Sequence, residues 1–372
     1  MIKNNILKIM MKVFHIFPMK NKVVFSSFWG KSYSDNPRYL FTEMKKIKPD
    51  YTYIWLLEDE KEKISGAKVV KFRSIKAIYH LATAKIWIDN ARKREWVIKR
   101  KNQYYVQTWH GNIPLKKVEK DAEDKLTAKY LRCAKNDSKI ADLFLSGSEW
   151  RTKNYREAFW YNGEILKMGM PKSDIFYDDI SSIKEQFNDV LSDDTKYILY
   201  APTFRADGNI ECYNMDYLKL IETFEEKYGG KWKIFVRLHP NIQNKQDLIK
   251  YSENVINASV FPNLNELIVL SEVLITDYSG CMFDGMEAEK KVILYASDID
   301  KYKNDRGFYF KLDELPFDIA TNNDELLSIV KQFDDEKYFE KILNFRKILG
   351  FYDGKNSSKR IARYIFEKIE KY

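Results

Sequence analysis

VLITDYSGCMFDGMEAE, residues 273–289, decides the architecture. Val273, Leu274, Ile275 and Thr276 form an apolar, β-branched run without alternation, as a strand buried on both faces requires. Asp277, Tyr278, Ser279 and Gly280 make a polar turn. A helix is expected over 279–289, with Ser279 as its N-cap. Strand, polar turn and helix together are half of a βα repeat. The same pattern runs along the chain. Strand-like runs occupy 23–28, 51–57, 68–72, 85–89, 104–109 and 142–146, then 197–201, 232–237, 255–261, 273–276 and 292–295. Helical spacing fills the gaps at 37–47, 75–83, 121–133 and 149–159, and again at 214–228, 264–270, 324–333 and 337–349. Alternation in two blocks predicts two doubly wound, Rossmann-type α/β domains, at 1–180 and 181–372. The last stretch, 356–372, alternates basic and apolar residues at helical spacing and is expected to pack back on the N-terminal domain.

The length of 372 residues suits two domains. A hydrophobic content of 45% excludes disordered and disulfide-stapled classes. Lys and Arg number 63 against 54 Asp and Glu, for a net +9, so an anionic partner is expected. Cys133, Cys212 and Cys281 are far apart and form no ligand pair, which points to a reducing compartment. The N-terminus is apolar and basic, but lysines at 3, 8 and 12 break every run short of a membrane span. It lacks the uninterrupted apolar core of a signal peptide. Ile2, Ile6, Ile9, Met10, Val13 and Phe17 fall near one helical face, which fits either a docked helix or one lying in a membrane interface.

In open α/β sheets, ligands bind beyond the carboxyl ends of strands, so polar residues directly after each run are the candidates. QTWHGNIPLKK (107–117) ends a strand at His110, a candidate general base. Gly111 is expected to permit a tight turn, and Lys116 and Lys117 could neutralise a phosphate. Arg237, His239 and Pro240 follow another strand, with Arg237 and His239 on one side as donors to an anionic oxygen. Asp277, Tyr278, Ser279 and Gly280 place hydroxyls and amides at a helix N-terminus, a ready anion site. Thr203 and Arg205, and Asp353 and Lys355, are weaker candidates. Each block alone also fits a structural role. The acidic pair Asp298 and Asp300, with Asp305, reads as a solvated loop. No glycine-rich dinucleotide loop, P-loop, zinc-protease helix or nucleophile elbow is present. The basic residues are dispersed, without an RNA- or DNA-binding signature, so no nucleic-acid partner is expected.

Taken together and in order, QTWHG with PLKK, LYAPTFR, RLHP, LITDYSG with FDG, RGFYF (306–310) and the DGK and Ser of 353–357 resemble the CDP-glycerol glycerophosphotransferase family of bacterial teichoic-acid and capsule enzymes. Gly169, Pro171 and Asp174 look like that family's G-x-P-x-x-D turn. The loop after His110 is one residue longer than the common form, and Gly280 and Cys281 replace its serine and aromatic. The resemblance implies a GT-B-like pair of domains facing a central cleft. It also implies transfer of glycerol phosphate from CDP-glycerol to a hydroxyl of a lipid-linked cell-wall glycan, with release of CMP, at the cytoplasmic face of an anionic membrane. Ribitol phosphate transfer from CDP-ribitol and sugar transfer from a sugar nucleotide are the alternatives. On this reading His110 and His239 are catalytic. Arg237, Thr203, Arg205, Asp277, Tyr278, Ser279, Gly280, Asp353 and Lys355 bind the donor. Gly111, Lys116 and Lys117 serve the acceptor. No cofactor and no metal is expected.

Overall fold

The computed structural model describes residues 2–205, 213–239, 249–299 and 307–371. Pro240, Arg306, Asp300, Asp305 and Cys212 lie outside them. The apolar runs form two parallel sheets. The first joins β1 (Lys20–Ser26), β2 (Thr52–Leu57), β3 (Lys68–Lys71), β4 (Ala84–Asp89), β5 (Tyr104–Gln107), β6 (Leu143–Ser146) and β7 (Glu164–Lys167) in the order β3-β2-β1-β4-β5-β6-β7. The second joins β8 (Thr195–Ala201), β9 (Lys231–Val236), β10 (Val255–Asn257), β11 (Val273–Thr276), β12 (Lys291–Tyr295) and β13 (Asp318–Ala320) in the order β10-β9-β8-β11-β12-β13. Each order runs outward both ways from its first strand, which makes both sheets doubly wound. The switch points fall between β1 and β4 and between β8 and β11, where such sheets bind ligands.

Two strands escape the sequence reading, β7 (EILK) and β13 (DIA). Both are edge strands, short and only partly buried, so neither carries a continuous apolar run. The helix expected at 121–133 is displaced to Ala128–Ile140, because Thr127 caps it by accepting from the Tyr130 amide. Residues Glu119–Lys125 form 3-10 turns instead.

The chain divides into one unit of Met1–Asn112, Val118–Asp174 and Gly350–Tyr372, and a second of Ile113–Lys117 and Ile175–Leu349. This differs from a single boundary at 180. Hydrogen bonding explains both exchanges. Asp174 accepts the amides of Ser357 and Ser358 at 2.7 and 3.0 Å, which caps the last helix, Ser357–Glu370, within the first unit. A Cβ at Gly169 (φ +83°) would strike Ser357 and Gly354, so the G-x-P-x-x-D turn is a docking site for that helix. Its Ile361, Ala362, Ile365 and Phe366 complete the apolar layer beneath β1, β2, β4 and β5. The segment Ile113–Lys117, for its part, pairs with residues 307–309 of the second unit, through Lys117 N–H to Gly307 O (3.0 Å) and Tyr309 N–H to Leu115 O (2.8 Å).

The N-terminal helix, Ile2–Phe14, buries Met11 completely and rests Leu7, Met10 and Phe14 against the first unit's other apolar layer. Ile6, Ile9, Val13, Ile16 and Phe17 remain exposed.

Candidate active site

In the first unit, the polar residues after β1, β4 and β5 converge. Asn90 follows β4, and its side-chain oxygen accepts the Phe28 amide at 2.7 Å. Its side-chain nitrogen donates to Asp35 at 3.0 Å. Its carbonyl oxygen lies 2.9 Å from His110 Nδ1. A carbonyl can only accept, so Nδ1 carries the proton and Nε2 keeps its lone pair. The His110 ring stacks on Trp109 (4.5 Å, 26°) and approaches Phe28 at 5.6 Å. The residue is exposed, with Nδ1 turned to the Asn90 carbonyl. Burial pushes its pKa down to about 4, against the Asn90 hydrogen bond, and the Lys172 and Arg151 charges add to the fall. The shift favours the neutral ring, the form that can take a proton at Nε2.

Gly111 is also not as expected. Its φ is not positive and a Cβ there would meet nothing within 4 Å. The unusual backbone sits two residues earlier, at Trp109 (φ +54°). What shapes the loop is Arg151, a fully buried residue that sequence reasoning did not single out. It donates to the carbonyls of Gly111 (2.9 Å) and Asn112 and to Asn154 Oδ1 (2.7 Å). Asp353 and Lys355 belong to this unit, where both are exposed and Asp353 Oδ1 accepts the Lys355 amide.

In the second unit the switch point is bridged directly. Asp277, after β11, accepts the Thr203 amide, after β8, at 2.9 Å, and the Tyr278 amide at 2.7 Å. Arg205 is 4% exposed, and all its N–H groups are engaged: Nε and Nη2 on Asp298 (2.6 and 3.1 Å), Nη2 also on Asp277 (2.8 Å), and Nη1 on Thr203 O and Oγ1 (2.9 and 2.5 Å). Asp298 is therefore no solvated loop residue. Its side chain is 8% exposed, and Tyr278 O–H donates to it at 3.1 Å. Burial alone would raise its carboxyl pKa, but Arg205 overrides that and holds it below the ordinary range. Asp298 lies three residues beyond β12, within reach of the strand-end rule, and its acidic neighbours disguised it.

Ser279 is not the N-cap. The helix spans Cys281–Glu287 with Gly280 in that place, and Ser279 Oγ accepts the Cys281 amide at 3.3 Å. Ser279 is half-buried and Gly280 exposed. A Cβ on Gly280 would lie 3.3 Å from the Ile113 carbonyl, so the close approach of that segment favours glycine here. Lys116 and Lys117 sit in the same segment, and so belong to the second unit. Arg237 leaves β9 with its amide bonded to Tyr200 O (2.9 Å). Its guanidinium donates only at 3.4 Å, to Pro262 O; its Nε is buried with no partner among the described residues. Burial lowers its pKa. His239 is exposed, its ring tilted 6.0 Å from Phe204.

The family model for CDP-glycerol:poly(glycerophosphate) glycerophosphotransferase matches residues 9–367. The teichoic acid glycerol-phosphate transferase of Staphylococcus aureus is 32% identical, over 99% of this chain and 100% of its own length. The teichoic acid poly(glycerol phosphate) polymerase of Staphylococcus epidermidis is 33% identical over 94% of this chain, which spans about half (51%) of that longer protein. A solved structure of the wall teichoic acid polymerase TagF, soaked with CDPG, superposes with a TM-score of 0.85 at 31% identity, covering 100% of this chain and 96% of that one. The fold is thus GT-B-like, as the two doubly wound sheets indicate.

Proposed function

Because the chain belongs to the CDP-glycerol:poly(glycerophosphate) glycerophosphotransferase family, we propose that it transfers glycerol phosphate from CDP-glycerol to a hydroxyl of a lipid-linked teichoic-acid acceptor and releases CMP. The observation that carries the donor assignment is Arg237. A half-buried guanidinium, its Nε closed off from water and no carboxylate beside it among the described residues, is suited to an anion. A pyrophosphate does so. The exposed His239, the Ser279 hydroxyl and the Gly280 amide add neutral and cationic donors. The helix behind them has seven residues, so the individual amides matter more than its dipole. Arg205 acts as a positioning residue: with its donors spent on Asp277, Asp298 and Thr203, it holds the Thr203 and Tyr278 turns across the switch point. Asp353 and Lys355, in the first unit, serve the loop that leads into the last helix.

His110 Nε2 takes the proton of the acceptor hydroxyl as that oxygen attacks the phosphorus bearing glycerol. The bond from that phosphorus to the bridging oxygen breaks, and CMP departs with the electron pair. Positioning and charge neutralisation dominate such transfers. No cofactor and no metal enters this reading.

Incubation with CDP-glycerol, CDP-ribitol or a UDP-sugar and a lipid-linked acceptor, with mass analysis of products, tests the reaction; glycerol phosphate addition is expected, and addition of sugar alone overturns it. Calorimetric titration of CMP and CDP-glycerol tests the site. Ser279→Ala and His239→Ala should each weaken donor binding by about tenfold, the worth of one charge-assisted hydrogen bond. Wild-type affinity in both variants, or loss of binding on adding EDTA, would show the donor held elsewhere or otherwise.

The acceptor's lipid calls for a membrane-facing surface, and we assign it to the N-terminal helix. Docking and interfacial binding, alternatives in the sequence, are compatible on this helix. One face packs through Met11 and Phe14, while Ile6, Ile9, Val13, Ile16 and Phe17 face outward beside Lys8 and Lys12. No helix among the described residues is long and apolar enough to cross a membrane. Ile9→Asp with Val13→Asp should weaken binding to anionic vesicles by at least about tenfold and leave turnover of a soluble acceptor unchanged. Vesicle binding that survives both changes would remove the helix from this role.

A further inference from the structure

The amino-terminal edge of the first sheet carries a group of cations with no carboxylate partner among the described residues. Lys22 stands in the central strand β1, only 3% exposed, with its side chain on the face that also holds Val24, Ile54 and Val70. Register places Lys68 on the same face: Val24 pairs with Ile54, and Ile54 with Lys68. The register of β1 on β4 shifts between Lys20 and Val23, so periodicity does not place Lys20; its charge acts on both Lys22 and His80. Lys22 Nζ donates at 2.8 Å to one neutral acceptor, Thr83 Oγ1, at the end of helix Ile75–Thr83, and lies 5.1 Å from the Tyr79 ring centroid. His80, in the same helical turn, has a buried Nδ1 without a hydrogen-bond partner. Among the described residues no carboxylate pairs with Lys20, Lys22 or Lys68. The charges that act on Lys22 are those of Lys20 and Lys68, and with burial, the larger cause, they bring its pKa down to about 8. Burial and the same three lysines bring His80 down to about 4. A buried ammonium whose charged neighbours are cations and whose hydrogen bond goes to a neutral hydroxyl, beside an imidazole Nδ1 without a partner, suits an anion.

The surroundings say which kind of surface supplies it. Tyr79 packs edge-on against Phe14 and Phe17, each at 5.7 Å, and against His80 at 5.5 Å. One ring thus joins the cations to the exposed end of the N-terminal helix, where Ile16 is 82% exposed. A ligand that suits both is a phosphate carried on an apolar body. We propose that Lys20, Lys22, Lys68 and His80 form a binding site for the phosphate of an anionic phospholipid, seated beside the N-terminal helix. The proposal rests on the membrane reading above and adds a defined headgroup site to it. It lies at the opposite end of the sheet from His110, which follows the carboxyl end of β5.

Two measurements test it on the full chain. Lys20→Gln with Lys68→Gln should bind vesicles of phosphatidylcholine with phosphatidylglycerol about thirtyfold more weakly, from the worth of two basic residues at an anionic surface, and bind pure phosphatidylcholine vesicles unchanged. The His80 ring resonance, assigned by its loss in His80→Asn, should shift on adding a soluble short-chain phosphatidylglycerol, its pKa moving back toward the ordinary value, and should not shift in the double variant. An equal shift with inorganic phosphate, alongside vesicle binding indifferent to the double variant, would make this a free-phosphate site and overturn the lipid assignment. An unmoved His80 with unaltered vesicle binding in the variant would remove the site while leaving the membrane reading intact. Failure of the wild-type chain to bind any vesicle would instead sink the membrane reading itself.

Discussion

His110→Ala should lower kcat/KM by about two to four orders of magnitude, the usual worth of a positioned base, while CMP and CDP-glycerol titrate as they do with the wild-type chain. The separation follows from geometry. His110 bonds to the Asn90 carbonyl and stacks on Trp109, in the first unit, whereas the groups assigned to the donor belong to the second. Turnover within threefold of wild type would remove His110 from the mechanism. The pH dependence makes a sharper test. The profile of kcat/KM reports the free enzyme. With the His110 pKa at about 4, its acid limb should fall near that pH, not near the ordinary histidine value. Removing Arg151, whose charge helps depress that pKa and whose side chain fixes the loop, should move the limb upward. An acid limb near pH 6.5 would mean that the base is another group. Stability must be followed alongside. His110 and His80 both titrate lower in the folded chain than in the unfolded one. The unfolded state therefore takes up protons first, and stability is lost as pH falls from about 6.5 through about 4. Activity should accordingly be read in brief assays after a pH jump.

The parallel sheets were legible because strands buried on both faces are written as continuous apolar runs, and β11 is the clearest of them. β7 and β13 were not, since an edge strand such as Glu164–Lys167 has one edge unpaired and little apolar area to advertise itself. Strand-end polarity located Thr203, Arg237, Asp277 and His110 without any knowledge of their neighbours. It could not tell which of them would find a partner inside the fold. Arg205 and Asp298 are 93 residues apart, and only the register that sets β12 beside β11 brings them together. Arg151 was illegible for a different reason. It lies on a helix, and its role is to hold two carbonyls, a job that leaves no pattern of residue types. The tight turn expected at Gly111 failed likewise, because a glycine in sequence does not announce whether its φ is positive.

Two arginines of the second unit should respond to removal in opposite ways. Arg205→Met leaves Asp277 and Asp298 buried without their counter-charge, since both now lean on one guanidinium at 2.6 to 2.8 Å. Breaking such a pair from one side typically costs about 3–5 kcal/mol, so the melting temperature should drop by many degrees and the Thr203 and Tyr278 turns should lose their common anchor. Arg237→Met removes a charge that burial already disfavours and that pairs with no described carboxylate. Its melting temperature should hold or rise, and its affinity for CMP should fall by about tenfold to a hundredfold, as expected for a lost charge-assisted contact to phosphate. Thermal melts and calorimetry on the same preparations read both quantities. The reverse pattern, with Arg205→Met stable but blind to CMP and Arg237→Met unfolded but competent in what remains, would make Arg205 the phosphate ligand and Arg237 a structural cation. The full complement of hydrogen bonds on Arg205 weighs against that exchange, because a phosphate could reach its guanidinium only by displacing Asp277, Asp298 or the Thr203 carbonyl.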